Sequence, residues 1–401
     1  MLSCYAAYIT SAVINNLPAL LFVIFSRQFG LTLEKLAFII TIIFGFQIVV
    51  DFTGAKFADK MGYRRVILIA QIFAFAGLVG LGVFPNVFPS PYVGILTAAL
   101  LLSTGSGLTE VVISPIIEAL PGDAKASAMS LLHSFYCWGH VLTVAVSTLF
   151  MWNFGIQNWR YLCILWSLIP AITFLFFTKV PINQLNNQND GHTSISKLFK
   201  VKILWIFMLL MLCSGAAEQS MAQWASYFAE TELGVSKQVA DLLGPCTFAV
   251  TMGVSRIVFS VVSEKTDMSM ALIISSAIST VSFIIAALSP YSILSLLGCA
   301  LCGFGVAILW PGVLSFSAKI YPQGGTAMFG ILALFGDLGC FVGPQTVAYA
   351  SSLTAEPSVK TGLLFAICFP ILIAAFSAVL YVSQKKFDKN QQTVNNIFIN
   401  G

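Results

Sequence analysis

Charge is what this sequence has least of: 9% of its 401 residues are Asp, Glu, Lys or Arg, while 58% are hydrophobic. A soluble domain carries roughly a quarter charged residues, so a water-soluble globule is excluded. Histidine is scarce, at three. The nine cysteines show no ligand spacing beyond Cys299 and Cys302, so they read as small core residues and not as a metal centre. There is no phosphate-cradling Gly-rich loop, no metal-ligand cluster and no nucleophile with a base at helical spacing, so neither an enzyme nor a bound cofactor is expected. The net charge of +4 is too small and too scattered to suggest a nucleic-acid partner.

What the chain does have is long apolar runs. A membrane-spanning helix needs about 20 apolar residues, and twelve such runs lie near 4–26, 36–56, 66–84, 91–117, 127–151, 160–178, 203–228, 239–262, 269–288, 291–317, 326–350 and 361–383. The expected fold is therefore an all-α membrane protein of twelve transmembrane helices. The first run has no basic leader and no small-residue cleavage site, so it is expected to stay as a helix. The longest polar interruption, about Pro181 to Lys202, divides six helices from six. The expected organisation is an N-terminal half over 1–178, a cytoplasmic linker over 179–202, a C-terminal half over 203–383 and a cytoplasmic tail over 384–401.

Faint echoes relate the halves. Gly105-Ser106-Gly107 has a counterpart in Gly303-Phe304-Gly305, and a shift of 205 residues sets Ser263-Glu264-Lys265 over Ala58-Asp59-Lys60 and Arg256 over Asp51. Cytoplasmic loops keep an excess of Lys and Arg. With the N-terminus inside, fourteen of the bases fall inside and five outside, Arg256 lying within a helix. Both termini are thus expected in the cytoplasm, with the protein multi-pass in a plasma or bacterial inner membrane.

The stretch Gly54-Ala55-Lys56-Phe57-Ala58-Asp59-Lys60-Met61-Gly62-Tyr63-Arg64-Arg65 is a short basic turn between two apolar runs. Its glycines allow two helices and a turn to approach closely, and its bases hold the turn on the inner side. Asp59 can pair with them or cap a neighbouring helix, a contact that could break as the protein changes shape. This pattern is similar to the loop joining the second and third helices of the major facilitator superfamily. The resemblance implies a two-lobed transporter in which helices 3, 6, 9 and 12 face lipid, with Gly54, Asp59, Gly62, Arg64 and Arg65 serving as a conformational switch. Gly105-Ser106-Gly107 with Glu110, then Ser114-Pro115, Glu118 to Pro121 and Leu132-His133-Ser134-Phe135, together with Glu218 and Trp224, looks similar to the fucose permease-like branch. That branch implies symport of a sugar, although Ser114 stands where Asn is usual.

Ionisable residues inside a membrane are costly and mark candidate sites. They occur in runs 2, 4, 5, 7, 8 and 11, as Asp51, Glu110, His133 with His140, Glu218, Arg256 and Asp337, and are lacking in runs 3, 6, 9 and 12, Arg160 at the edge of run 6 being counted among the outside bases. Ser103, Ser106, Glu110 and Ser114 share one helical face, which reads as an aqueous wall; Ser130, His133, Cys137, His140 and Ser147 repeat the device. Glu110 and His133 lie at matched depth, either sharing a proton for coupling or tying helices together. Run 7 carries Glu218, Gln219, Gln223 and Trp224, a set suited to sugar hydroxyls and ring faces, although Trp224 also fits an interfacial belt. Asn15 and Asn16 precede Pro18 and read as cavity amides or as interhelix glue, with Gln47 and Trp138 as weaker solute contacts. The expected ion-coupling set is Glu110, His133, Glu218 and Asp337; Arg256 could snorkel to the surface. The resulting expectation is a monomeric secondary transporter that moves a small polar solute, such as a sugar, by alternating access coupled to a proton or sodium gradient. An exporter of amphipathic compounds and a non-transporting membrane sensor are the alternatives.

Overall fold

The computed structural model describes residues 1–118, 125–182, 198–262, 266–354 and 357–382. The linker centre and the tail lie outside these residues, as do the side chains of Asp59 and His133. The described residues are helical and without strands. The helices are α1 (Leu2–Leu20 and Phe22–Phe29), α2 (Leu33–Ile40, Thr41–Gly45 and Phe46–Met61), α3 (Tyr63–Val87), α4 (Pro91–Glu118), α5 (Lys125–Phe154) and α6 (Trp159–Trp166 and Leu168–Lys179). After the linker come α7 (Lys202–Glu232), α8 (Lys237–Asp241, Leu242–Cys246 and Thr247–Val262), α9 (Met268–Leu288), α10 (Ser292–Val306 and Leu309–Ile320), α11 (Gly325–Ser351) and α12 (Val359–Val382). Eleven are long and apolar enough to cross a bilayer, and α1, bent by 43° at Leu21, makes twelve if its two parts are one span. The expected all-α, twelve-span architecture is therefore present.

The helices run alternately between two faces, here called the amino-terminal face, which holds Met1 and the Met61–Tyr63 turn, and the opposite face. Substantial packing between the halves is confined to α1 on α7, α2 on α11 and α5 on α8. The major contacts of α3, α6, α9 and α12 lie within their own halves, and α4 and α10 stand behind the seam. This is the peripheral placement expected for helices whose apolar interiors lack ionisable residues.

Both α2 and α8 contain a five-residue stretch of the wider π-helix, Thr41–Gly45 and Leu242–Cys246. A π turn misaligns the backbone ladder and often marks a functional site. In α8 the cause is local, because Pro245 lacks an N–H to donate. In α2 the Ile43 carbonyl is taken instead by Ser103 Oγ of α4 at 2.6 Å. These matched stretches are 201 residues apart, so within α2 and α8 the local register differs from the 205-residue shift that set Arg256 over Asp51.

The turn between α2 and α3 rests on Gly62, whose φ of 81° disfavours residues with a Cβ. Arg64 donates to the carbonyls of Phe177 and Thr178 at 2.8 Å and of Val180 at 2.7 Å. Its guanidinium thus caps the C-terminus of α6, where orphan carbonyls and the helix dipole favour a cation. Arg65 and Lys60 are exposed, and Gly54 lies against Leu108 and Val111 of α4.

Candidate functional site

The residues that converge between the halves come from α1, α2, α4, α5, α7, α8, α10 and α11. Gln47 of α2 donates Nε2 to Glu110 Oε2 of α4 at 2.6 Å. Gln47 is 2% exposed, yet Glu110 itself is exposed. Its electrostatic neighbours include Tyr8 of α1, Tyr136 of α5 and Asp337 of α11, so it opens into the space between the halves and not toward lipid. Asp51, one turn from Gln47, interacts electrostatically with Glu110, and Asp337 with both. Asp51 lies against the α4 backbone, where a Cβ on Gly107 would come within 2.8 Å of its Oδ1. Glycine at 107 is what permits that approach.

The expected aqueous wall on α4 is corrected here. Ser103, bonded to α2, and Ser106 are fully buried, Ser114 is half-buried, and Glu110 alone of the four is exposed. The α5 stripe likewise divides. Cys137 accepts from Arg256, His140 is buried against Phe248 of α8, and Ser147 accepts from Trp166 of α6 at 2.9 Å. Ser130 and His133 fall outside the described side chains, so the expected Glu110–His133 pair is not among the contacts described.

A second polar centre lies on the other half. Arg256 does not snorkel to the surface. Its Nη2 lies 3.6 Å from Glu218 Oε2 of α7, its Nη1 donates to Cys137 Sγ of α5 at 3.1 Å, and its Nε donates to the Ala307 carbonyl of α10 at 3.0 Å. Gln219 donates to Glu218 Oε1 at 3.4 Å. Gln223 donates to Gln219 Oε1 at 2.9 Å and, across the halves, to the Asn15 carbonyl at 3.1 Å. Asn15 Nδ2 donates to the Tyr136 hydroxyl at 3.3 Å, while its Oδ1 is buried without a partner. Asn16 turns back onto the Ala12 carbonyl of its own helix.

Two candidates pack across the halves without joining these polar contacts. Trp224 is wholly buried; its indole N–H bonds the Pro344 carbonyl at 3.1 Å, and it packs against Phe22 and Tyr227, so it is not in an interfacial belt. Trp138 is 40% exposed, on the same stripe of α5 as Leu142 and Leu149, and covers Gly253 of α8.

Nearer the opposite face the halves are joined more firmly. Asp241 of α8 is wholly buried and accepts from Lys237 Nζ at 2.5 Å, from Ser226 Oγ, and from Thr148 Oγ1 of α5 at 3.3 Å. Arg27 of α1 pairs with Glu230 of α7 at 2.7 Å, and Gln345 of α11 donates to the Ala37 carbonyl of α2 at 2.6 Å. Residues Arg27, Gln28, Trp159, Glu230 and Lys237 border a pocket of about 350 Å³ there. Sequence reading missed this layer, taking Lys237 for a loop charge and overlooking Asp241. The signal was available, since Lys237 and Asp241 are opposite charges four residues apart at a helix start. Tyr8, Tyr136 and Gln345 carried no such signal within their apolar runs. Among the described residues no three His, Cys, Asp or Glu side chains converge as a metal centre.

A family model described as the Major Facilitator Superfamily matches residues 4–344. An uncharacterised MFS-type transporter of Yersinia pestis is 22% identical over 316 residues, covering 78% of each chain. The solved structure of a D-xylose-proton symporter is 16% identical, covers 94% of this chain and 95% of its own, and superposes with a TM-score of 0.78. The transporter FucP, in its outward conformation, is 15% identical, covers 94% and 97%, and gives 0.67. At these identities the structures attest the architecture.

Proposed function

The chain belongs to the Major Facilitator Superfamily, and we propose that it is a secondary active transporter moving a small polar solute, a sugar or related metabolite, by alternating access coupled to a cation gradient. The observation that carries this reading is the meeting of acids from both halves at one open space. Asp51 and Glu110 come from one half and Asp337 from the other, all within electrostatic reach, with Glu110 exposed to that space. Carboxylates so placed feel both an entering cation and the separation of the halves, which is what coupling requires.

The solute site is assigned to the amides alongside. Asn15 offers an unpaired Oδ1, and Gln219, Gln223 and Tyr136 offer donors and acceptors from the facing half and from α5. A polyol needs such a set, matching several hydroxyls that each donate and accept. The kinship in fold with a D-xylose-proton symporter and with FucP agrees with this choice. The excess of bases assigns the amino-terminal face to the cytoplasm. The cross-half contacts at the opposite face then hold the outer side shut, and transport requires them to part.

The test is uptake of a panel of labelled sugars into proteoliposomes under an imposed proton or sodium gradient. Accumulation of at least one solute above equilibrium is expected. No accumulation under either gradient would overturn the proposal. Protection of cells against lipophilic cations, without sugar uptake, would favour the exporter instead.

A further inference from the structure

We infer that the pocket between the halves at the opposite face is a second ligand site, built for a small uncharged polyol, and that a ligand seated in it holds that face shut. The closing action rests on the transport reading above; the site itself does not.

The pocket's walls come from both halves. Arg27 and Gln28 of α1 and Gln157 and Trp159 at the entry to α6 are supplied by one, Glu230 of α7 and Lys237 of α8 by the other. Its volume of about 350 Å³ lies within the roughly 300–1,000 Å³ of small-molecule sites, whereas one water occupies about 30 Å³. Arg27, Gln28 and Gln157 are exposed, which leaves a way in, while Glu230 and Lys237 are buried. Glu230 follows Gln223 by two turns of α7, about 10 Å along the helix, so the pocket is separate from the amides assigned to the solute.

The charges at the pocket are already matched. Arg27 pairs with Glu230 and Lys237 with Asp241, so a ligand bearing net charge would enter with no counter-charge left for it. What is left over is hydrogen-bonding capacity of both kinds. Glu230 Oε2 is buried without a donor. The Lys237 ammonium has three N–H groups and gives two, to Ser226 Oγ and Asp241 Oδ1. Lys237 acts electrostatically on Glu230, yet the two form no ion pair among those described. A hydroxyl between them accepts from Lys237 and donates to Glu230, which neither a carboxylate nor an ammonium can do at once. Further hydroxyls find the Gln157 amide and the NH2 of Gln28, whose Oε1 is taken by Trp159 at 2.9 Å. Val23, Ile24 and Ile156 complete the wall with apolar surface for a carbon frame. Water can make the same bridge, but it gains nothing from that surface. A ligand bonded to α1 on one side and to α7 and α8 on the other favours the state in which these helices are close. In a transporter, excess ligand outside therefore slows the cycle.

The experiment uses the full-length protein in detergent, with Gln157→Cys as the reporter and D-mannitol and D-glucose as probes. A polar maleimide labels the exposed thiol, the native chain gives the background of its own nine cysteines, and Leu353→Cys, exposed between α11 and α12, is the control. At about ten times the Kd of a probe, labelling of Gln157→Cys is expected to fall about tenfold, following the unoccupied fraction, with Leu353→Cys unchanged. Adding Glu230→Gln should raise the probe concentration required about tenfold. Adding Ile156→Trp, which fills the pocket and removes no charge, should abolish protection and guards against misfolding in the first. No protection by either probe would overturn the site, as would protection equal at Leu353→Cys or lost with Gln223→Ala, which would place its origin at the central amides. No protection, in a protein that accumulates solute under a gradient, would overturn the site and leave the transport reading standing. Protection in a protein that accumulates none would support the site and overturn the transport reading. In proteoliposomes, external probe should inhibit uptake by the native chain and not by Ile156→Trp; inhibition absent, or equal in the two, would overturn the closing action.

Discussion

Replacing Asp241 by Asn will destabilise the protein several times more than replacing Arg27 by Gln, although both break an acid–base contact at the same face. Lengths do not separate them: Lys237–Asp241 is 2.5 Å and Arg27–Glu230 is 2.7 Å. Burial does. The side chains of Lys237 and Asp241 are 3% and 0% exposed, whereas those of Arg27 and Glu230 are 68% and 6% exposed. At an effective dielectric of about 20, two charges at the buried pair's separation attract by roughly 6–7 kcal/mol before desolvation is subtracted. Removing one partner of a buried pair costs about 3–5 kcal/mol, because the other charge stays behind without compensation. In Asp241→Asn that stranded charge is the Lys237 ammonium, left with Ser226 Oγ, a neutral amide and the Glu230 carboxylate that Arg27 already pairs. In Arg27→Gln the charge left behind is the Glu230 carboxylate, which loses a partner that was itself largely in water and keeps Lys237 as a second positive charge within reach; a loss of about 1 kcal/mol follows, the upper end for a solvated pair.

The assay is unfolding of the detergent-solubilised protein, with the double variant Lys237→Gln/Asp241→Asn closing a cycle. Asp241→Asn should lose about 3 kcal/mol, and the double variant clearly less than the sum of the two single changes. If Asp241→Asn stays within about 1 kcal/mol of the native protein, or if the single effects simply add, the claim that burial decides this pair is wrong.

Further outcomes follow from the same structure. Glu110→Gln and Glu218→Gln should each abolish gradient-driven accumulation while the protein still inserts; full uptake by both in proteoliposomes would remove them from the site. Arg64→Met removes three charge-assisted bonds to the end of α6 and should cost about 1–3 kcal/mol, read as a lowered Tm, because an exposed C-terminus can exchange some of them for water; an unchanged Tm would refute the capping role. Gly107→Ala places a Cβ 2.8 Å from Asp51 Oδ1 and 2.9 Å from Val50. It should destabilise by roughly 1–3 kcal/mol, as overpacking does, read as a lowered Tm. A fully stable Gly107→Ala protein would show that α2 and α4 have slack at this level.

The fold was legible because lipid imposes a coarse rule: about 20 apolar residues per span, written twelve times, and charge confined to particular helices. Helices α3, α6, α9 and α12, whose apolar interiors carry no ionisable residue, keep their major contacts within their own halves. The site was legible as a set of costly residues, not as a set of contacts. Glu110, Glu218 and Asp337 stood out because a lone acid in an apolar run is improbable. The direction in which a polar residue points was not readable, because a helical face can meet another helix as readily as water; hence the Ser103–Ser106 stripe, read as an aqueous wall, proved a buried seam. Arg256 illustrates the same limit. Its three partners come from α5, α7 and α10 and are separated from it by at least 38 residues of chain. Asp241 was missed for the opposite reason. A charged pair near a run's polar end looks like loop chemistry until α5 and α7 are seen to cover it.

The strength of the cross-half contacts sets what transport demands. Polar links between the halves include Gln223 to Asn15, Gln345 to Ala37, Thr148 to Asp241, Arg27 to Glu230 and Arg256 to Cys137. Three are hydrogen bonds whose acceptors are backbone carbonyls or a carboxylate, one is largely exposed, and one ends on a weakly accepting sulfur. The strong buried pair, Lys237–Asp241, lies within a single half and need not break when the halves part. At about 1 kcal/mol for each net link, the five hold the halves together by roughly 5 kcal/mol. That is close to the ~5.5 kcal/mol that turns a 1:99 equilibrium into 99:1, and a solute of micromolar affinity binds with about 8 kcal/mol. Differential binding of solute and ion is therefore enough to reverse the preference. Strengthening one link supplies the test. Thr148→Asn, which can offer Asp241 a longer donor across the seam, should slow turnover without raising the solute concentration needed for half-maximal uptake in proportion. Faster turnover in that variant would mean that parting of the opposite face does not limit the cycle.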